Sequence, residues 1–213
     1  GCDDAPSARG KANVYLGSES DLRIDQVQAG DKVRIKGSGG IFNVAIDPAA
    51  TNIAGATGLI LEASSGTIGT DTAKFYTNLS DNGTLTARAS GDVYIVERVG
   101  NMNIESVYSQ GGSAYLNTLN GSIVDALNND WVKIQANNII LGAIGGGFGE
   151  AGDYLEIDVE SSGLLTATAT GNIWLEEKIG NMDIDRVTSS GGNVDLKANL
   201  SIFDSHNDIN ADV

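Results

Sequence analysis

Apolar and polar residues alternate in short runs along most of this chain. In the run that starts at Val93, the apolar residues Val93 and Ile95 flank the amphipathic Tyr94. Alternation with a period of two is typical of a β-strand with one buried face. The residues predicted to point inward in three such runs are Val93, Ile95, Met102, Ile104, Leu155, Ile157 and Val159. Those predicted to point outward are Tyr94, Asn103, Glu105, Glu156 and Asp158. No segment shows the helical i, i+3, i+4, i+7 pattern over ten or more residues, so we expect a chain almost without α-helix.

The runs belong to an internal repeat with a period of about 80 residues, which is the primary feature of the sequence. Residues 91–112 read GDVYIVERVGNMNIESVYSQGG, and residues 171–192 read GNIWLEEKIGNMDIDRVTSSGG. A looser version, NVYLGSESDLRIDQVQAG, covers residues 13–30. The sequence therefore predicts a polar, disordered leader at 1–10 and one solenoid at 11–213. Within it, the copies cover about 11–90, 91–170 and a truncated 171–213.

A repeat unit of this length is too long for one turn of a solenoid. It divides into about four turns of about 20 residues, which is the usual length of a β-helix coil. The breaks between runs are rich in Gly, Asn, Asp and Ser, which favour tight corners. We therefore predict an all-β fold, a parallel β-helix in which each turn buries its apolar side chains against its neighbours.

Composition narrows the classes of partner. The chain has 28 acidic and 13 basic residues and a net charge of −15. A strongly acidic surface repels nucleic-acid phosphates and anionic membranes, so we expect neither nucleic-acid binding nor membrane insertion. No apolar run approaches the length of a membrane span. Cys2 is the only cysteine, which excludes an internal disulfide.

Two stretches interrupt the alternation. Residues 47–58 contain Pro48, which cannot donate to a sheet ladder, so they are predicted to bulge from the stack as a corner. Residues 146–155, GGFGEAGDYL, are similar to one unit of a calcium-binding β-roll, although Asp153 lies two residues beyond the expected position. We expect no cofactor and no metal, and calcium at this segment is the alternative.

The repeat also places candidate surface residues. Tyr15, Tyr94 and Trp174 occupy equivalent outward positions, predicted to lie four turns apart, where aromatic faces could contact sugar rings or a neighbouring fibre. The alternative is that each ring covers its own sheet.

The carboxylates that recur at equivalent positions are predicted to lie on solvated outer faces; these are Asp25, Glu105 and Asp185 in one set and Glu97 and Glu177 in the other. His206 is the only histidine and belongs to no recognisable catalytic or metal motif. No catalytic residue is therefore assigned.

Four stretches together resemble a known family. They are GNIWLEEKIGNMDIDRVTSSGGNVDL at 171–196, SIVDA at 122–126, the segment 145–159 ending in LEIDV, and GLLTATATG at 163–171. The series is similar to the filamentous-haemagglutinin-type repeats of giant secreted bacterial surface proteins. The resemblance implies a right-handed parallel β-helix, export from the cell, and a role as a shaft or an adhesive passenger.

The preferred hypothesis is a non-enzymatic structural or adhesive solenoid segment, located outside the cell or on its surface. Its expected partners are neighbouring solenoid segments or copies of itself, with a surface glycan or a host receptor as further candidates. A polysaccharide-binding or polysaccharide-cleaving β-helix is the alternative, and it would need carboxylates and basic residues from neighbouring turns in one groove. An ice- or mineral-binding face is a third hypothesis, suggested by the alternating Thr166, Thr168 and Thr170.

Overall fold

A computed structural model describes residues 7–10 and 12–205. These residues form 22 β-strands and no helix. Nothing in this described part could cross a membrane as a helix. The first strand pairs Ser7–Gly10 with Gln26–Ala29, so strand pairing reaches into the predicted leader at 1–10.

The strands are short. In chain order they are β1 Ser7–Gly10, β2 Val14–Ser18, β3 Leu22–Ile24, β4 Gln26–Ala29, β5 Lys32–Gly37, β6 Ile41–Asn43, β7 Ile53–Ala54, β8 Gly58–Ala63, β9 Phe75–Asn78, β10 Thr84–Ala89, β11 Val93–Glu97, β12 Met102–Ser109, β13 Ala114–Thr118, β14 Ile123–Asp125, β15 Ile134–Ala136, β16 Ile139–Ala143, β17 Leu155–Val159, β18 Leu165–Ala169, β19 Ile173–Glu177, β20 Met182–Ser189, β21 Val194–Ala198 and β22 Ile202–Asp204.

Two long parallel sheets face each other across one core. Sheet A has the order β1-β4-β7-β9-β11-β13-β16-β18-β20-β22, and sheet B has the order β2-β5-β8-β10-β12-β15-β17-β19-β21. The chain crosses between the sheets and returns one rung further along, so the fold is a β-solenoid of about nine turns. This confirms the predicted all-β parallel β-helix.

The turns are less uniform in length than the sequence predicts. Val14 in β2 pairs with Val33, whereas Val107 in β12 pairs with Ile134, which lies considerably further along the chain. The extra residues lie in corners between strands, where they do not disturb the pairing. Turn length therefore varies while strand register is kept.

The core is a column of inward side chains stacked along the axis. In β5 the burial alternates strictly, with Val33 and Ile35 fully buried between exposed neighbours. Phe75 and Phe148 are the largest apolar side chains that are completely buried. The inward positions predicted at Val93, Ile95, Met102, Ile104, Leu155, Ile157 and Val159 are all confirmed.

The internal repeat spans three and a half turns, not four. Tyr94 lies in β11 of sheet A, but its equivalents Tyr15 in β2 and Trp174 in β19 both lie in sheet B. The same exchange relates β12 in sheet B to its equivalent β20 in sheet A. Successive copies therefore present the same features on opposite faces of the solenoid.

The predicted corner at 47–58 is confirmed only in its first part, because residues 53–54 form β7 within the stack and Gly58 begins β8. Residues 44–52 leave the stack between β6 and β7, and Arg98 holds this loop by donating to the carbonyl oxygens of Pro48 and Ala50 at 2.7 and 2.8 Å. Gly149 ends the glycine-rich corner with a φ of 61°, and a Cβ there would lie 2.6 Å from the carbonyl oxygen of Trp174. Only glycine fits this combination of positive φ and close approach.

Candidate functional site

A buried lysine lies at the centre of the most polar region inside the protein. The side chain of Lys133 is 1% exposed, and its Nζ is 3.0 Å from Oδ2 of Asp125 and 3.5 Å from Oε2 of Glu156. Nζ also donates to the carbonyl oxygens of Asn129 and Trp131 at 2.8 and 2.6 Å. We call Lys133, Asp125 and Glu156 the ion cluster. Asp125 ends β14, Lys133 immediately precedes β15, and Glu156 lies in β17. The ammonium group of Lys133 is therefore surrounded by oxygen acceptors from three parts of the chain.

The ion cluster fixes the shape of loop 126–132, which leaves the stack between β14 and β15. Asp125 accepts from the backbone N–H groups of Leu127 and Asn129 at 2.6 and 2.8 Å. Asn129 in turn accepts from the N–H of Trp131 at 3.1 Å. Both ends of the loop and its middle are therefore tied to buried charged groups.

In the equivalent loop of the first copy, 44–52, neutral side chains take the places of Asp125 and Lys133, and Arg98 holds the loop from outside. Asn43 occupies the place of Asp125 and accepts from the N–H two residues later, and Asn52 occupies the place of Lys133. The Asn52 amide donates to Asn43 at 2.8 Å and is fully buried. The first copy therefore closes this corner with an amide pair and Arg98, without a buried ion pair.

Three carboxylates of this region are close enough to hold a metal ion. Ligand oxygens of Asp125, Asp153 and Glu156 lie within 4.8 Å of one another. Asp153 belongs to the GGFGEAGDYL segment in which calcium is the alternative. The ammonium of Lys133 already supplies positive charge to two of the three carboxylates. A divalent ion there would compete with this buried ammonium.

Beside loop 126–132, the outer face of sheet B carries aromatic and charged side chains. In the pairing of β19 with β21, Trp174 lies next to Asp195, and Glu176 lies next to Lys197. The hydroxyl of Tyr154 donates to Oδ2 of Asp195 at 2.6 Å. Nζ of Lys197 lies 3.6 Å from the centre of the Tyr154 ring. The hydrogen bond to Asp195 raises the pKa of Tyr154 to about 12.

We call Trp131, Tyr154, Trp174, Glu176, Asp195 and Lys197 the outer patch. A pocket of about 300 Å³ opens beside it and shares Tyr154, Glu176 and Lys197 with it; the full lining is Asn128, Asn129, Asp130, Gly152, Asp153, Tyr154, Glu156, Glu176 and Lys197. Trp131 is the next residue after Asp130 and is 76% exposed. Trp174, Tyr154 and their polar neighbours thus lie together on the outer face of sheet B, and Trp131 is assigned to the patch because its loop lines the same pocket through Asn128, Asn129 and Asp130.

The three aromatic candidates from the sequence do not share one face. Tyr15 is 66% exposed and lies at the other end of sheet B from Trp174. Tyr94 lies on sheet A, where its ring centre is 5.9 Å from that of Tyr115. Of the three, Trp174 is the one that lies beside the other groups of the outer patch. A contact with sugar or fibre through any of them stays a prediction.

The prediction that Glu97 and Glu177 are solvated is wrong. Both side chains point inward, and the residues are 1% and 0% exposed. Oε1 of Glu97 accepts from the N–H of Leu79 at 3.0 Å, and Oε2 accepts from Thr77 at 2.6 Å. Glu177 accepts from the N–H of Val159 in the preceding turn at 2.9 Å. Burial raises the pKa of each carboxyl to about 7, although the hydrogen bonds act in the opposite direction.

Glu156 and Asp158 alternate with the inward Leu155 and Ile157, as predicted, but they are not solvated: the two residues are 2% and 6% exposed, and Lys133 lies against Glu156. Burial raises the pKa of both carboxyls.

Glu105 and Asp185 are neither fully solvated nor free. Each is the extra residue of a β-bulge, in the pairing of β10 with β12 and of β18 with β20. Glu105 accepts from Thr84 at 2.7 Å, and Asp185 accepts from Thr166 at 2.6 Å. The remaining member of this set, Asp25, is also only partly exposed. Glu105 and Asp185 therefore tie one turn to the next at the bulge.

Replacing Thr166 with valine is expected to lower the free energy of unfolding by about 1–2 kcal/mol, because the bond to Asp185 is lost. Denaturant unfolding of the variant measures the change. Thr168→Val, two residues further on at an exposed position of the same strand, is the matched control and should change stability by less than about 0.5 kcal/mol. Equal losses in both variants would show that the hydroxyl–carboxylate bond contributes nothing.

Two residues discussed from the sequence, Cys2 and His206, lie outside the described residues.

Comparison with protein-family models, curated proteins and solved structures gave no match. The β-solenoid is therefore established by the coordinates alone, and the resemblance to filamentous-haemagglutinin-type repeats stays a prediction.

Proposed function

We propose that this chain is a structural segment of a large secreted or cell-surface protein, in which it provides rigid length and a surface for adhesion. The observation that carries the proposal is the continuous core shared by the two parallel sheets. Almost every repeated residue contributes to stacking, and stacking gives a solenoid its stiffness along the axis. Neighbouring solenoid turns, or copies of the chain, are the partners that such stacking favours.

A non-enzymatic role is supported by the burial of the ion cluster, whereas the pocket beside it has carboxylates and a lysine from neighbouring turns, Asp130, Glu176 and Lys197, as the polysaccharide-cleaving alternative requires. The most concentrated group, in the ion cluster, is buried with its oxygens already bonded to Lys133 and to backbone N–H groups. A catalytic acid or base must reach the substrate proton at hydrogen-bond distance. Asp125 is 0% exposed at the side chain, which leaves it inaccessible to a polysaccharide, and Glu156, which borders the pocket of the outer patch, is only 3% exposed.

Antibodies against the chain test the location. They should label intact cells that express the parent protein, and protease treatment of these intact cells should remove the signal. Labelling that requires cell lysis would overturn the proposal. Negative-stain images of the shed protein should show thin rods, whereas compact particles would argue against a spacer.

A further inference from the structure

We propose that the outer patch is a binding site for a neutral saccharide. This deepens the adhesive part of the function proposed above and rests on it, whereas the location at the cell surface is tested separately by the antibody experiment. Aromatic rings pack against the C–H faces of sugar rings, and their polar neighbours bond the hydroxyl groups. Trp131, Tyr154 and Trp174 supply the rings. Glu176 and Asp195 supply acceptors, and Lys197 supplies donors.

The chemistry of the patch favours an uncharged ligand. The pocket is lined by the carboxylates of Asp130, Asp153, Glu156 and Glu176 and by a single cationic side chain, Lys197, and the whole chain carries a net charge of −15. Sulfated, phosphorylated or sialylated ligands would approach an acidic surface and be repelled. A neutral sugar avoids this cost and can use the donors and acceptors of the patch together.

Loop 126–132, which carries Trp131, is held by the buried charged groups of Asp125 and Lys133, and this indicates that the shape of the loop has a role. Burying charged groups is costly even when they are paired, and an apolar or neutral arrangement is often as stable. The first copy closes the equivalent corner with Asn43 and Asn52. The second copy uses the ion cluster for the same corner, and the loop that this cluster holds carries Trp131. Pre-organised loops on a rigid scaffold are a common basis for binding sites.

Trp131 differs from the aromatic residues that cover their own sheet, whereas one face of the Tyr154 ring is already occupied by Lys197. Tyr94 and Tyr115 are paired on sheet A, and Lys74 lies 5.0 Å from the Tyr115 ring. Within the described residues this is the single aromatic ring pair, and Trp131 does not take part in it. A 76% exposed tryptophan on a fixed loop contributes little to packing, which leaves its face available to a ligand.

The test is binding of the purified chain to a printed array of neutral, sialylated and sulfated oligosaccharides. Calorimetry with the neutral oligosaccharide that binds best then compares variants. Trp131→Ala and Trp174→Ala should each weaken binding at least about tenfold, as expected when an aromatic contact residue is truncated. Tyr15→Ala removes an exposed aromatic from the distant end of the same sheet and should leave affinity unchanged. Binding should also persist at about 0.5 M NaCl, where contacts between exposed charges are screened.

Lys197→Ser, at an exposed position, keeps the proposal testable if a tryptophan variant unfolds, and it should also weaken binding. Circular dichroism and melting curves establish that each variant is folded. The proposal is overturned if no neutral oligosaccharide binds, if only charged ones bind, or if folded Trp131→Ala, Trp174→Ala and Lys197→Ser proteins bind normally. Binding to a glycoprotein that survives its deglycosylation would assign the patch to a protein partner and would also overturn it.

Discussion

Replacing Lys133 with methionine is expected to lower the free energy of unfolding by about 3–5 kcal/mol, because two buried carboxylates lose their cation. Methionine preserves most of the side-chain volume, so the loss reports on charge and hydrogen bonds more than on a cavity. Loop 126–132 should become mobile in the variant, since Nζ of Lys133 holds the carbonyl groups of Asn129 and Trp131. Urea unfolding measures the first effect, and amide hydrogen exchange measures the second.

The matched control is the exposed ion pair between Arg34 and Glu62. Its N–O distance of 2.7 Å is shorter than that of the buried pair, but its side chains are 48% and 28% exposed. Arg34→Met should cost less than about 1 kcal/mol, because water and salt screen the charges. If the two methionine variants lose similar stability, burial of the ion cluster is not what makes it important.

Stability is expected to fall as pH rises from about 4.5 to about 7. Glu97 and Glu177 have an unperturbed pKa near 4.5, and burial raises it to about 7 in the folded protein. Between these values the folded chain binds more protons than the unfolded chain, so raising the pH favours unfolding. Each carboxyl contributes up to about 3 kcal/mol to the change across this window. Urea unfolding at pH 5, 6, 7 and 8 measures it.

The double variant Glu97→Gln, Glu177→Gln provides the control, because glutamine does not titrate. Its stability should depend much less on pH between 5 and 7 than that of the unchanged protein. The raised pKa of Glu156 and Asp158 leaves a smaller slope of the same sign. A stability that rises with pH in this window, or an identical slope in both proteins, would contradict the assignment.

The fold could be predicted from the alternation because burial in a solenoid follows strand parity. Val93, Ile95 and Ile157 are all fully buried, as the period of two requires. The same parity places Glu97 on the inner side, two residues after Ile95. The expectation that Glu97 is solvated relied on its charged side chain, but the position of the residue in the strand determined its burial.

The site could not be predicted because contacts between turns depend on the length of each turn. Lys133 meets Asp125 across a loop and Glu156 from the next turn, and the turns elsewhere are shorter or longer than this one. The assumption of a uniform turn length misplaces such neighbours, and it also led to the expectation of four turns in each repeat. The notable signal in the sequence was Asp153, whose segment does border the ion cluster.

Each repeat unit spans three and a half turns, and this affects what happens when such a protein gains or loses a unit. Adding or deleting one repeat unit would rotate everything downstream to the opposite side of the shaft, as well as changing its length. Two units would restore the original direction. The orientation of whatever lies beyond the array therefore depends on whether the number of units is odd or even, and duplication in pairs is the change that preserves it.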